Sequence, residues 1–100
     1  MNELTLDAAR RKYDFVRLAR EDYTRVREVP PDAKGEGALF AYAPETNGYV
    51  GVDMYLTREG CAEPGVADIN CHPSNVDKVV EAIASGDFDA LGALTAAAGQ

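Results

Sequence analysis

The dipeptide Asn47-Gly48 constrains the fold of this 100-residue chain more than any other feature. It lies between two segments, residues 38–43 and 49–56, in which side-chain character alternates along the chain. Asn and Gly both tolerate the positive φ of a type I′ turn, and alternation is typical of strands with two different faces. The sequence therefore predicts a β-hairpin, and with it an antiparallel sheet.

The turn also predicts the register of this hairpin. A two-residue turn at Asn47-Gly48 pairs Ala43 with Val52 and Ala41 with Met54, and a four-residue loop would keep the same faces. The predicted core face comprises Leu39, Ala41, Ala43, Val50, Val52, Met54 and Leu56. The opposite face comprises Phe40, Tyr42, Tyr49, Asp53 and Tyr55.

The chain after the hairpin predicts one more strand and two short helices. Residues 66–71 alternate, which places Asp68 and Asn70 on the aromatic face of the sheet. A helix follows with the apolar stripe Val76, Val79, Val80 and Ile83. Ser74 is its predicted N-cap and Gly86 its left-handed end. Asp87 is predicted to cap a last helix through Phe88, Leu91 and Leu94.

The N-terminal part of the chain has the periodicity of one long helix. Between Leu6 and Glu28, apolar residues recur at spacings of three and four, which is typical of an amphipathic helix. Its apolar stripe is Leu6, Ala9, Tyr13, Val16, Ala19, Tyr23 and Val26. Its opposite face is the charge ladder Asp7, Arg10, Asp14, Arg17, Glu21, Arg25 and Glu28. Pro30-Pro31 would end this helix.

These elements together predict a single α+β domain spanning residues 1–100. The order is α-β-β-β-α-α, with a three-stranded antiparallel sheet packed on a long N-terminal helix and two short C-terminal helices. No repeat or linker divides the chain.

Charge is distributed unevenly along the chain. The net charge is −7, from 17 acidic and 10 basic residues. Residues 1–36 hold eight of each sign and are neutral, whereas residues 37–100 hold nine acids, Arg58 and Lys78. An acidic chain is repelled by nucleic acid and by anionic membranes, so we expect neither as a direct partner.

Cysteine and histidine are too few for a metal centre or a disulfide scaffold. Cys61, Cys71 and His72 do not match the paired spacing of zinc sites, so we expect no metal and no cofactor. The first residues lack a signal-peptide pattern, and we expect a cytoplasmic protein with two free thiols. Cys71, His72 and Ser74 could form a reactive corner at a helix N-terminus, although packing and capping explain them as well.

The aromatic face of the sheet is the candidate partner-binding surface. It is predicted to gather Phe40, Tyr42, Tyr49, Asp53, Tyr55, Asp68 and Asn70. Aromatic residues are enriched in interface cores, and acids set charge complementarity. The alternative is that a helix covers this face as a second core layer, against which the cost of burying Asp53 and Asp68 argues.

Size and charge favour a non-enzymatic binding module. Inhibitor and immunity proteins of bacteria and phages, anti-CRISPR proteins among them, are often this small and acidic, although the chain has no motif of any such family. We expect a protein partner with a basic surface, which includes nucleic-acid-binding proteins. The alternatives are a small enzyme or ligand-binding subunit using the Cys71-His72-Ser74 corner, and a structural subunit that dimerises through the aromatic face. The protein itself is expected to be a monomer or homodimer.

Overall fold

The described residues form a five-stranded antiparallel sheet with helices on both faces. The computed structural model describes residues 1–13, 20–58 and 60–98, with side chains at 64–66 and 95–98 left out. The strands are β1 (Asn2–Leu4), β2 (Arg25–Val29), β3 (Glu36–Tyr42), β4 (Val50–Arg58) and β5 (Cys61–Cys71). The helices are α1 (Leu6–Lys12), α2 (Val76–Ser85) and α3 (Phe88–Ala98). The strands lie in chain order across the sheet.

The prediction of an α+β fold with a three-stranded sheet and a long N-terminal helix is wrong in both details. The helix beginning at Leu6 ends at Lys12, and Arg25–Val29 is a strand paired with both β1 and β3. β-branched valines disfavour helix slightly, and pairing on two sides satisfies the backbone of this segment while burying Val26 completely. Residues 14–19, the middle of the predicted helix, lie outside the described residues.

Both faces of the sheet are buried, so it has two core layers. The face covered by α1, here the α1 face, has a core of Ala9, Tyr13, Tyr23, Val26, Leu39, Ala41, Tyr55 and Ala62. The other, the α2 face, packs Ala38, Phe40, Tyr42, Val52 and Cys71 against Val76, Val79 and Val80. Leu91 and Leu94 of α3 pack on the same layer. The predicted aromatic face is thus not a single exposed surface.

The predicted turn is confirmed, but the predicted hairpin register is wrong by one residue. Thr46 and Tyr49 exchange backbone hydrogen bonds of 2.8 and 3.0 Å across Asn47-Gly48, whose φ angles are +53° and +82°. Beyond this turn Tyr42 pairs with Val52. Residues 43–45 therefore lie opposite only residues 50 and 51, which is a β-bulge. Pro44 has no N–H to donate to a neighbouring strand. The bulge therefore lies at a position where strand pairing is interrupted in any case.

The bulge reassigns every side chain of β3 relative to β4. Leu39 and Ala41 share the α1 face with Asp53 and Tyr55, whereas Phe40 and Tyr42 share the α2 face with Val52 and Met54. A one-residue slip has this effect because side chains alternate with a period of two.

The third strand and both C-terminal helices are present. β5 begins at Cys61, earlier than predicted, after a turn at Gly60 with φ +77°. Asn75, not Ser74, is the N-cap of α2, and Gly86 ends that helix at φ +71°. Asp87 caps α3 by accepting from the Ala90 N–H at 3.1 Å. Phe88, the first residue of α3, is 77% exposed.

A buried carboxylate fixes α1 to the sheet. Glu28 is 1% exposed, and its Oε2 accepts from the Tyr13 hydroxyl at 2.6 Å and pairs with Lys12 Nζ at 2.7 Å. Burial alone would raise the pKa of Glu28, but the bonds from Lys12 and Tyr13 outweigh it and hold the pKa below its usual range. Burial, together with Glu28, raises the pKa of Tyr13 to about 12.

Replacing Tyr13 by Phe should therefore destabilise the fold, because a buried carboxylate loses a donor. We expect the free energy of unfolding in urea to fall by about 1–3 kcal/mol. Tyr49→Phe is the matched control, since Tyr49 is 51% exposed, and should change stability by less than about 0.5 kcal/mol. Equal effects of the two substitutions would contradict the structural role of the Tyr13–Glu28 bond.

Candidate functional site

The candidate surface lies where β4 and β5 meet on the α1 face. Asp53 lies directly opposite Asp68, and Gly51 lies opposite Asn70. The side chains of residues 51, 53 and 55 lie on the same face of β4, and Tyr55 belongs to the core of the α1 face. Asp53, Asp68 and Asn70 therefore share the α1 face. Asp53 is half-buried, while Asp68 and Asn70 are exposed.

Asp53 and Asp68 form the closer of the two kinds of antiparallel pair. The Gly51 carbonyl accepts from the Ala43 N–H at 2.7 Å, so Gly51 and Asp53 direct their backbone groups to β3. Val52 and Met54, which alternate with them, direct theirs to β5. Asp53 and Asp68 are thus a non-hydrogen-bonded pair, in which Cα atoms lie about 4.5 Å apart and side chains approach closely. Like charges so placed destabilise a sheet.

Sequence reasoning missed Tyr23 as a member of this site. Its hydroxyl donates to Asp53 Oδ2, and its oxygen lies 2.8 Å from the Tyr55 hydroxyl. Because Tyr23 has one proton and gives it to Asp53, Tyr55 donates to Tyr23. Burial, and then the bond to Asp53, raises the pKa of Tyr23. Two core tyrosines thus hold the Asp53 carboxylate in place, although Tyr23 was predicted to lie on a helix.

The arginines of β2 are bound elsewhere. Arg25 and Arg27 contact Asp77 at 2.7 and 3.4 Å, and Arg27 contacts Glu81 at 3.2 Å. Arg25 also pairs with Glu3 of β1 at 2.5 Å, so the charges of β2 are shared between acids of the N-terminal part and acids of α2. Among the described residues, no Lys or Arg forms an ion pair with Asp53 or Asp68.

An open cleft of about 450 Å³ adjoins the acidic pair. The bulge forms one wall of the cleft and β5 contributes Asn70. Its lining residues are Arg20, Ala43, Pro44, Thr46, Asn47, Tyr49, Gly51 and Asn70. Arg20 forms two bonds of 2.8 and 2.9 Å to Asp22, and at longer range its charge also interacts with Asp53. The exposed Tyr49 ring and two carboxamides are the groups that this cleft offers a partner.

The seven sequence-predicted residues are divided by the structure. Asp53, Asp68 and Asn70 lie together, with Tyr49 on the neighbouring cleft. Phe40 and Tyr42 are buried beneath α2 on the opposite face, and Tyr55 is buried in the α1-side core. We define the acidic docking surface as Tyr49, Asp53, Asp68 and Asn70.

The Cys71-His72-Ser74 corner is built mainly from local contacts. His72 Nδ1 lies 2.7 Å from Ser74 Oγ, and the Ser74 N–H donates to the same nitrogen at 3.3 Å. Cys71 is 4% exposed, and burial raises the pKa of its thiol. A reactive thiol requires the opposite shift. Within the described residues, no group of three metal-ligating side chains occurs.

Comparisons with protein families, curated proteins and solved structures found no match to this chain. The described helices include none that is long and apolar enough to cross a membrane.

Removing one charge of the acidic pair should stabilise the protein. Asp68→Asn is expected to raise the free energy of unfolding by about 0.2–1 kcal/mol at low salt, and by less at 1 M salt. Glu63→Gln is the control, since Glu63 is exposed on the same strand but lies opposite Leu56. Urea denaturation decides the point, and a destabilised Asp68→Asn variant would contradict it.

The buried thiol should react slowly. In a Cys61→Ser variant, we expect alkylation of Cys71 to be far slower in the folded protein than in urea at the same pH, because both exclusion of reagent and the raised pKa suppress attack. Mass spectrometry of timed samples measures the two rates. Equal rates would show that Cys71 is accessible as a thiolate.

Proposed function

We propose that the protein is a small acidic interaction module of the inhibitor or immunity type, which binds a basic surface of another protein through its acidic docking surface. The observation that carries this proposal is the pairing of Asp53 with Asp68. The two acidic residues lie directly opposite each other on adjacent strands, and no lysine or arginine among the described residues forms an ion pair with either. A lysine or arginine from a partner would relieve that repulsion.

The surroundings of the pair support a protein partner. Tyr49 offers an exposed aromatic ring beside a cleft, and aromatic residues are enriched in interface cores. Asp53 is held by Tyr23, so little side-chain entropy is lost when a partner binds it. Proteins that bind nucleic acid carry basic patches, so they fit the chemistry of this surface.

The other candidate functions gain less from the geometry. An enzyme using Cys71 would need a thiol with a lowered pKa, whereas burial raises it. A dimer formed through the aromatic residues would need Phe40 and Tyr42 to be accessible, and both lie in the core beneath α2. We therefore propose neither of them.

The test is affinity capture of partners from a cell lysate with the wild-type protein and an Asp53→Asn/Asp68→Asn double variant. The carboxamide oxygen introduced at position 53 would still accept from Tyr23, so the fold should be kept. We expect a basic protein to be retained by the wild type at about 50 mM salt, weakened at about 0.5 M salt, and lost with the double variant.

The control is the double variant Asp87→Asn/Asp89→Asn, which removes the same charge from the start of α3. Asparagine still serves as a helix cap at position 87. This control should retain the partner that the first variant loses. If both variants lose it equally, net charge and not the acidic docking surface is responsible, and the proposal is wrong.

A further inference from the structure

The outer edge of β5 is the longest unpaired strand edge in the described sheet. β5 has 11 residues and is the last strand in the sheet order, paired only with β4. At the opposite edge, β1 has three residues. A long edge strand presents unpaired N–H and C=O groups to which another chain can add.

The register identifies which residues of β5 direct their backbone groups outward. Val50, Val52 and Met54 direct theirs to β5, where they face Cys71, Ile69 and Ala67. By alternation, Asp68 and Asn70 direct their N–H and C=O groups away from the sheet. The regularly paired part of β5, residues 67–71, begins after Pro64 and Gly65 and contains no proline and no glycine.

The outward-facing backbone thus belongs to two of the four residues of the acidic docking surface. An antiparallel strand added beside β5 would hydrogen-bond to Asp68 and Asn70, and its side chains on the α1 face would lie next to these two residues, with Asp53 one strand further away. Its alternate side chains would lie on the α2 face beside Ala67 and Ile69, which are half-buried. Charge complementarity requires basic residues on the first face and burial favours apolar residues on the second.

We infer that the partner binds by antiparallel strand addition, the orientation of every pair in this sheet: an extended segment alternating basic and apolar residues pairs with the outer edge of β5 at residues 67–71. This inference rests on the proposed function and specifies its binding mode. Backbone hydrogen bonds would supply affinity and the alternating side chains specificity, as in other cases of β-augmentation.

The test uses a capped heptapeptide with arginine at alternate positions and valine between them. In the inferred complex the arginine amides face Asp68 and Asn70, whereas the valine amides face solvent. N-methylation of the arginine amides should weaken binding about tenfold or more, because bonds are lost while the charge is kept. N-methylation of the valine amides is the matched control and should leave binding within about twofold. Isothermal titration with the full chain measures each affinity.

Substitutions in the protein also test whether the backbone N–H groups of β5 bind the peptide. Asn70→Pro removes an outward N–H without touching the ladder to β4, and edge strands tolerate proline in that orientation. It should weaken peptide binding clearly more than Asn70→Ala does, because both variants lose the carboxamide and only Asn70→Pro also loses the N–H. Bound peptide should also slow hydrogen exchange at the Asp68 and Asn70 amides.

The outcomes separate the binding mode from the proposed function. Equal binding of the two methylated peptides, or no binding of the unmodified peptide, overturns strand addition while leaving capture through the acidic docking surface untouched. If the Asp53→Asn/Asp68→Asn variant binds the peptide as the wild type does, the proposed role of the charges fails although strand addition stands. If Asn70→Pro fails to fold, the binding of the methylated peptides to the wild-type protein still tests strand addition.

Discussion

The strand β2 joins the helices on both faces to the sheet, because its charged side chains alternate between those faces. Glu28 lies beneath α1, where Lys12 and Tyr13 bind it. Arg25 and Arg27 extend to the other side and contact α2 through Asp77. A buried carboxylate is costly unless it is paired, so the position of α1 is fixed by that requirement. The ion pairs with α2 are half-exposed, so they orient that helix while its valines supply most of its stabilisation.

The cleft and the acidic pair depend on one extra residue. Without the bulge at residues 43–45, the Asn47-Gly48 turn would place Asp53 opposite Tyr42, on the face now covered by α2. The bulge moves Asp53 to the α1 face, where Tyr23 can reach it. Pro44 therefore influences a carboxylate that it does not contact, because it determines where pairing resumes.

Features encoded by local chemistry were predictable from the sequence, whereas long-range pairing was not. The Asn47-Gly48 turn and the Gly86 end of α2 follow from backbone preferences of one or two residues, and both are confirmed. Four residues of the predicted helix stripe, namely Ala9, Tyr13, Tyr23 and Val26, are indeed buried, but on a short helix, a loop and a strand. Their spacing correctly indicated that these side chains are buried, but not which secondary structure buries them. For Val26, strand pairing outweighed the helical periodicity of the sequence. In the site, alternation placed Asp68 with Asn70 correctly, whereas the contact of Tyr23 with Asp53 spans 30 positions and has no local signature.

The contacts between β2 and α2 also mean that the sheet forms before α2 can cover it. Arg25 and Asp77 are separated by 52 positions. The strands β2 to β5 are joined in chain order as hairpins. Hairpins with short loops form early in folding because closing a short loop costs little conformational entropy. Until α2 is synthesised, the apolar side chains of Phe40 and Val52 face water on a newly made sheet. Such a surface is prone to aggregate during translation, so the ribosome-bound chain is the state in which this small protein is most exposed to misassembly.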